Sequence, residues 1–303
     1  MSFKVEPLAN ASIGVQVTEL DLDNDISAED QQALFDLWIE HGVIVFKGMG
    51  FTSEQHLRLS DVFGENKEHA VAQLNQDNEN PEFMVLDNRN FEKMGQYYRE
   101  ESPDELFTGY IPWHSDQIFI PASNHGALLR MIEIAEIDGR TAWIDTIAAY
   151  DALSDEMKER IANIELEYEL CQDHVKARYG RDESIHPAGD EDAAGAGFDE
   201  MRPVAHPAVV KHPISGKKIL NVSPLHLNRV VGMDDAESDN LLKELVAHVT
   251  SQKFSYVHDW QAGDLVLWDN WRTLHKALGY PVGVRRLAVR TSMHRPGNVG
   301  RYL

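Results

Sequence analysis

The sequence predicts a mainly β fold with peripheral helices, built on a jelly-roll core of two facing sheets (a double-stranded β-helix), and three observations predict it. Short apolar runs of strand length recur from the first residues to the last, among them 43–46, 127–132 and 264–268. Helical periodicity is concentrated in two early stretches and afterwards appears only between strands. No segment repeats another. Early helices, many short strands and helices set between strands are the pattern of a two-sheet barrel decorated by helices.

Taken in order, residues 3–22 alternate loosely around Ile13, Val15 and Val17 and read as opening strands. Ser27, with Asp30 three residues on, starts a helix whose apolar side is Leu34, Leu37, Trp38 and His41, and Gly42 closes it. Thr52 and Gln55 start a second, which carries Leu57, Leu59, Val62 and Phe63 and ends at Phe63-Gly64. After the strand-like 83–86, residues 127–132 read as a strand, Asp138-Gly139 as a turn and 141–144 as the returning strand. Residues 148–170 show helical periodicity through Leu153, Met157 and Ile161. Two strands between 204 and 222 flank a turn at Pro213-Ile214-Ser215-Gly216, a helix covers 234–250, and strands follow at 254–257, 264–268 and 286–293. The chain of 303 residues, 43% hydrophobic, is read as one domain over 1–303. The polar, irregular stretch about 66–112 is its expected lid, and that about 170–203 an insertion.

Composition narrows the function. Lys and Arg number 28 against 50 Asp and Glu, and the net charge of −22 argues against nucleic acid or an anionic membrane as a partner. The single Cys171 excludes an internal disulfide and any paired-cysteine metal site, and its expected role is a core thiol. With no signal-like N-terminus and no apolar run long enough for a bilayer, a soluble, cytoplasmic protein is expected.

The chemistry-bearing stretch is Trp113-His114-Ser115-Asp116-Gln117-Ile118-Phe119. Residues two apart on a strand point to one side, so His114 and Asp116 can reach one ion. With His275 as a third ligand they form the two-histidine, one-carboxylate set of non-haem Fe(II) oxygenases, which leaves the remaining positions open. Arg286 and Arg290, four apart on a strand, share a face, and two guanidiniums facing inward call for anions. A zinc hydrolase or a non-catalytic jelly-roll binding protein is the alternative use of the same residues. His41, His206, His212, His248 and His258 read as structural, and Trp113, Trp268 and Trp271 as packing.

These motifs, in this order, resemble the taurine dioxygenase and 2,4-dichlorophenoxyacetate dioxygenase (TauD/TfdA) family of Fe(II)/2-oxoglutarate-dependent dioxygenases over nearly the whole chain. Supporting matches are His41-Gly42-Val43-Ile44-Val45-Phe46, Gly139-Arg140-Thr141, Ile147-Ala148-Ala149-Tyr150, His212-Pro213-Ile214-Ser215-Gly216-Lys217 and Trp268-Asp269-Asn270. The resemblance implies that His114, Asp116 and His275 hold iron, and that Arg286 and Thr141 bind the far carboxylate of 2-oxoglutarate. Dioxygen and this cosubstrate would then oxidise a C–H bond of a small organic acid with release of succinate and carbon dioxide. Asp116 fills the place that related halogenases leave open for chloride, so hydroxylation is the expected outcome.

On the substrate side, Arg290 and His69 match positions that hold the sulfonate in taurine dioxygenase, and Tyr110, Gln117, Phe119 and His226 complete the expected pocket. Tyr110 stands where the taurine enzyme has Asn, Ala72 where it has an aromatic, and His226 where it has Phe. A larger or more polar acid than taurine, carboxylate or sulfonate, is therefore expected. Relatives are commonly dimers or tetramers, so a homo-oligomer is a family-level expectation.

Overall fold

The structure, a computed structural model, describes all residues except 10, 49, 68–79, 94–96, 101–105, 172, 189–200 and 296–298. Two sheets face each other. The larger orders Lys4–Pro7, Val15–Thr18, Val43–Phe46, Leu265–Asp269, Gly126–Glu133 and Leu287–His294, with Glu65–Asn66 and Met84–Asp87 both pairing to the last. The second orders Ile185–Pro187, Tyr98–Glu100, Phe107–His114, Thr273–Pro281, Thr141–Asp145 and Ser255–His258. Pairing within both is antiparallel apart from Val15–Thr18 on Val43–Phe46. This is the mainly β jelly-roll architecture expected.

The alternation of side chains decides what each face does. Val43, Val45, Ala127, Leu129, Met131, Val266, Trp268 and Ala288 turn inward and meet Trp143 and Trp260. Ile44, Phe46, Leu128, Leu265, Leu267 and Met293 turn outward beneath two helices, Ala28–His41 and Ser53–Phe63. Both helices start as their sequences dictate. Ser27 Oγ accepts the Asp30 N–H at 3.1 Å, and Thr52 and Gln55 cap each other reciprocally. Gly42 ends the first helix at φ 74°, where a side chain would be strained, and donates its N–H to Trp38 O at 2.7 Å. A third helix, Asp235–Val249, lies among Leu166, Tyr168, Val204 and Leu227 of a separate four-stranded sheet.

Three local expectations need correction. Gly126–Glu133 and Thr141–Asp145 are not a hairpin: they belong to different sheets, and the seven residues between them carry the chain across the barrel. A turn signal such as Asp138-Gly139 fixes local backbone direction, φ 58° and 75° here, but not which strand pairs with which. Residues 148–170 are not one helix. They divide into Thr146–Asp151 and Asp155–Ile161, because Ser154 caps a new start by accepting the Met157 N–H at 3.1 Å, and then into the strand Glu165–Tyr168, whose Glu-Leu-Glu-Tyr alternates with period two. The nine-residue strand Thr273–Pro281 was not foreseen, since its His, Lys and Gly interrupt the apolar pattern.

The expected lid contains the strand Met84–Asp87, the short helix Asn88–Lys93 and the strand Tyr98–Glu100, and the insertion contains a 3-10 turn at His174–Lys176 and the strand Ile185–Pro187. Among the described residues no helix is long and apolar enough to cross a membrane.

His56 ties the second helix to the sheet beneath it, with Nε2 3.1 Å from Thr291 Oγ1 and no exposure to solvent. Burial, helped by the charge of Arg130, pushes its pKa down from 6.5 to about 3. The folded protein therefore holds the neutral ring while the unfolded chain takes up a proton below pH 6.5. Stability should fall as pH drops through this window, by about 1.4 kcal/mol per pH unit for such a group. Urea unfolding between pH 7 and pH 4 measures it, and His56→Gln should flatten the acid limb by one group's share.

Candidate metal centre

The pairing of two strands creates the site. His114 ends Phe107–His114, His275 lies in Thr273–Pro281, and they stand directly opposite in the antiparallel ladder with ring centroids 4.0 Å apart. Just beyond, the ladder slips by one residue between His275 and Ala277. Such a bulge re-aims side chains at a strand end. Asp116 follows two residues after His114, its Oδ1 3.9 Å from His114 Nε2 and 3.7 Å from His275 Nε2. The three ligand atoms lie within 4.8 Å of one another, and all three residues are buried.

These donors fit a divalent ion of the first transition row. Such ions bind imidazole and carboxylate at about 2.0–2.2 Å, so two donors of one ion stand up to about 4 Å apart. His114 Nδ1 is 2.8 Å from Pro112 O. It donates its hydrogen there, which leaves the Nε2 lone pair for a metal. Burial lowers the pKa of both rings, well below the ordinary value for His275, so they are neutral ligands at physiological pH.

A second trio of similar composition does not fit. His125, His212 and Asp269 also gather their donor atoms within 4.8 Å. His212 Nδ1, however, accepts the backbone N–H groups of Ile214 at 3.3 Å and Ser215 at 3.0 Å. Its hydrogen must then reside on Nε2, where it is donated to Asp269 Oδ2 at 2.9 Å. A ring nitrogen that carries hydrogen is not a metal ligand, so this trio is a structural anchor.

The anchor continues into the metal site through the next residue. Asn270 Oδ1 accepts the Asp116 N–H at 2.8 Å while its Nδ2 donates to Asp116 O at 3.0 Å and Asn124 O at 3.1 Å. Ser223 Oγ accepts the Ser115 N–H at 2.9 Å. Asn270 was visible in sequence only as part of a motif, with no role attached.

Arg290 Nη1 donates to both carboxylate oxygens of Asp116 at 3.1 Å, while its Nε and Nη2 are buried with no hydrogen-bond partner. Arg286 is also buried, its guanidinium 5.4 Å over the Tyr280 ring and with no carboxylate in ion-pair range among the described residues. A Cβ at Gly139 would sit 3.5 Å from Arg286 Cδ and Nε, so the turn leading to Thr141 lies against the arginine. Thr141 Oγ1 accepts from Trp260 Nε1 at 3.0 Å, which leaves its own hydrogen to donate.

His226 and Phe119 come together edge to face at 4.9 Å, and His226 Nδ1 accepts the Cys171 N–H at 3.0 Å, which leaves the ring hydrogen on Nε2. Gln117 is buried beside Asp116. Tyr110 packs on Tyr98 and Phe107 at 5.6 and 6.2 Å, with Lys276 Nζ 5.3 Å over its ring. His69 and Ala72 lie outside the described residues. His174 was missed: its Nδ1 is 3.3 Å from Tyr110 O, and burial brings its pKa down to about 4. Nothing in the polar run around it marks it in sequence. Cys171 is half-buried, its thiol pushed up to about 11 by burial, which is the unreactive character expected of a core thiol.

A triad whose donors fit iron, together with a buried guanidinium that has no carboxylate against it among the described residues, is the arrangement a 2-oxoglutarate-dependent non-haem iron dioxygenase requires, and the relatives of the chain show it to be one. The family model described as "Taurine catabolism dioxygenase TauD, TfdA family" matches residues 4–292, and the chain belongs to that family. It is 28% identical over 292 residues to a (S)-phenoxypropionate/alpha-ketoglutarate-dioxygenase of Sphingobium herbicidovorans, covering 94% of this chain and 93% of that one. Over 289 residues it is 28% identical to an alpha-ketoglutarate-dependent 2,4-dichlorophenoxyacetate dioxygenase of Cupriavidus pinatubonensis, with 94% and 96% covered. An alpha-ketoglutarate-dependent sulfate ester dioxygenase of Pseudomonas putida is 26% identical, with 92% and 85% covered. Among solved structures, AAD-2 in complex with Mn(II) and N-oxalylglycine superposes with a TM-score of 0.74 at 25% identity, over 99% of this chain and 100% of that one.

Replacing Asn270 by Ala frees the Asp116 backbone without touching a donor atom. Mn(II) affinity, followed by electron paramagnetic resonance titration, should fall about 10- to 100-fold, as for other groups that orient metal ligands.

Proposed function

We propose that this enzyme oxidises a C–H bond of a small organic acid, with His114, Asp116 and His275 holding Fe(II) and with Arg286 and Thr141 holding the far carboxylate of 2-oxoglutarate. The observation that carries the anionic substrate is Arg290, a buried guanidinium that gives one nitrogen to Asp116 and keeps two donor positions unpaired. Charge balance supports the same reading. Fe(II), Arg286 and Arg290 bring four positive charges and Asp116 returns one, because both histidines are neutral. The surplus of three matches a dianionic keto acid and a monoanionic substrate, and a buried site does not tolerate an uncompensated charge.

Each residue has a task in this scheme. When bound, Fe(II) with 2-oxoglutarate and dioxygen supplies the oxidising chemistry, the keto acid leaving as succinate and carbon dioxide. Arg290 Nη1 pairs with both oxygens of Asp116 and fixes the plane of its carboxylate, while Nε and Nη2 orient the substrate's acid group beside it. Pro112 O fixes the tautomer and the ring plane of His114. Thr141, braced by Trp260, donates to the carboxylate that Arg286 neutralises. The presence of Asp116 as a third ligand supports hydroxylation over halide transfer. The relatives named for phenoxy acids and sulfate esters support an acid of that kind, and the departures at Tyr110, Gln117 and His226 support a substrate other than taurine.

Under anaerobic conditions, Fe(II) and 2-oxoglutarate should produce a weak visible charge-transfer band in the intact enzyme and none in Asp116→Ala. Arg286→Gln should raise the 2-oxoglutarate concentration for half-saturation by about 10- to 100-fold, the worth of a charge-assisted hydrogen bond. In air, a panel of phenoxy acids, alkyl sulfates and sulfonates is scored by substrate-dependent succinate release. Saturable turnover of taurine above every other acid would overturn the substrate assignment, and absence of the band would overturn the iron and keto-acid assignment.

A further inference from the structure

Gln117 combines a backbone conformation that its residue type rarely adopts with a buried amide that no described residue meets. Its φ is 57°, in the left-handed region that a residue of this kind rarely adopts, and among the described non-glycine residues only Glu19 and Asp138 share it. Those two are exposed, free to hydrogen-bond with water. Gln117 is 2% exposed, and among the described residues neither its Oε1 nor its Nε2 has a hydrogen-bond partner. Native proteins carry few buried amides in that condition, and strained backbone collects where function requires it.

The backbone on both sides is pinned, so the residue cannot relax. Asp116 N–H is held by Asn270 Oδ1 at 2.8 Å, and Ile120 N–H donates to Gln117 O at 3.1 Å. The amide is thus fixed immediately after the metal carboxylate, in the same loop whose Phe119 packs on His226. The preceding residue, Asp116, is paired with Arg290, whose Nε and Nη2 are buried without a partner among the described residues. The two side chains ask for different things. A guanidinium is met by an anion, which only accepts hydrogen bonds, whereas the Gln amide needs a group that donates to Oε1 and accepts from Nε2.

We infer that Gln117 is a specificity residue whose amide is completed by the substrate, and that the acid this enzyme takes carries a second, neutral group able both to donate and to accept a hydrogen bond, such as a hydroxyl or a carboxamide. The inference rests on the organic-acid reading above and narrows it. A simple ammonium acid such as taurine meets only the acceptor half of the amide. An unsubstituted alkyl acid meets neither half, and an unsubstituted aryloxy acid offers only its ether oxygen, a weak acceptor.

The first test needs no substrate. Gln117→Met keeps the shape and removes both unpaired atoms, so the melting temperature of the metal-free, substrate-free protein should stay level or rise, and Gln117→Gly, which relieves the positive φ, should raise it. A clear fall in Gln117→Met would show the amide satisfied within the protein and would overturn the inference. The second test compares phenoxyacetate with its ring-hydroxylated and ring-carbamoylated derivatives, using Fe(II), 2-oxoglutarate and succinate release. The wild type should favour at least one derivative by roughly tenfold or more in kcat/KM, the worth of a well-made buried hydrogen bond. Gln117→Met should abolish that preference through KM, bringing the ratio of each derivative's kcat/KM to that of phenoxyacetate down to about one. No preference in the wild type, or a preference unchanged in Gln117→Met, overturns the inference while the organic-acid reading stands. No succinate release with any member overturns that reading instead.

Discussion

A carboxylate buried between two neutral imidazoles must be compensated, and Arg290 compensates it. One nitrogen of the guanidinium meets both oxygens of Asp116, and the ring of Trp268 lies 5.9 Å beneath the cation and 5.0 Å from His275. Breaking a buried pair by removing one partner typically costs about 3–5 kcal/mol, because the remaining charge has no water to turn to. The ligand set is therefore preorganised by electrostatics before any metal arrives. Its geometry is written into the inner face of Leu287–His294, where Arg290 shares its parity with Ala288 and Arg286.

Behind that ion pair stands a hydrogen-bonded scaffold that holds the loop after His114 in one conformation. Asp269 and Asn270 are adjacent but face different duties. Asp269 is anchored by His212 and by the Trp271 N–H at 3.0 Å, and burial opposed by its histidine partners leaves its carboxyl well below the usual range. Asn270 then grips Asp116 and Asn124 at once. Rigidity passes from the outer helices, through the Leu265–Asp269 strand, to a carboxylate that carries no helix or strand of its own. Functional groups placed on a loop need such support from the elements around it.

How far the sequence reveals this depends on the range of the interaction. Helix starts at Ser27, Thr52 and Asp234 and the stop at Gly42 were legible, since a cap involves residues within one turn of each other. The alternating inner strands were legible for the same reason. The crossover between Gly126–Glu133 and Thr141–Asp145 was not, because sheet membership is decided by partners more than a hundred residues away. Nor was Thr273–Pro281, the strand that carries His275, because His275, Lys276 and Gly279 interrupt its apolar run. The three ligands could be picked out by residue type, and the structure brings them together. Arg290 was read as a group for anions alone. Its hold on Asp116, 174 positions earlier, follows only from the fold.

Residue type is also what fails to separate the two His/His/Asp groups. By composition, burial and spacing they are alike. What distinguishes them is the second nitrogen of one ring. At His114 that nitrogen faces a carbonyl and so must carry the hydrogen, freeing Nε2. At His212 it faces two amide hydrogens and so cannot, committing Nε2 to Asp269. A main-chain group hydrogen-bonded to the ring thus leaves Nε2 open to a metal in one case and commits it to a structural hydrogen bond in the other. The same logic extends to His226, where the Cys171 N–H places the hydrogen on Nε2 and makes that ring a donor. Main-chain groups thus fix the hydrogen-bonding character of all three rings, His114, His212 and His226, before any ligand is present to choose it.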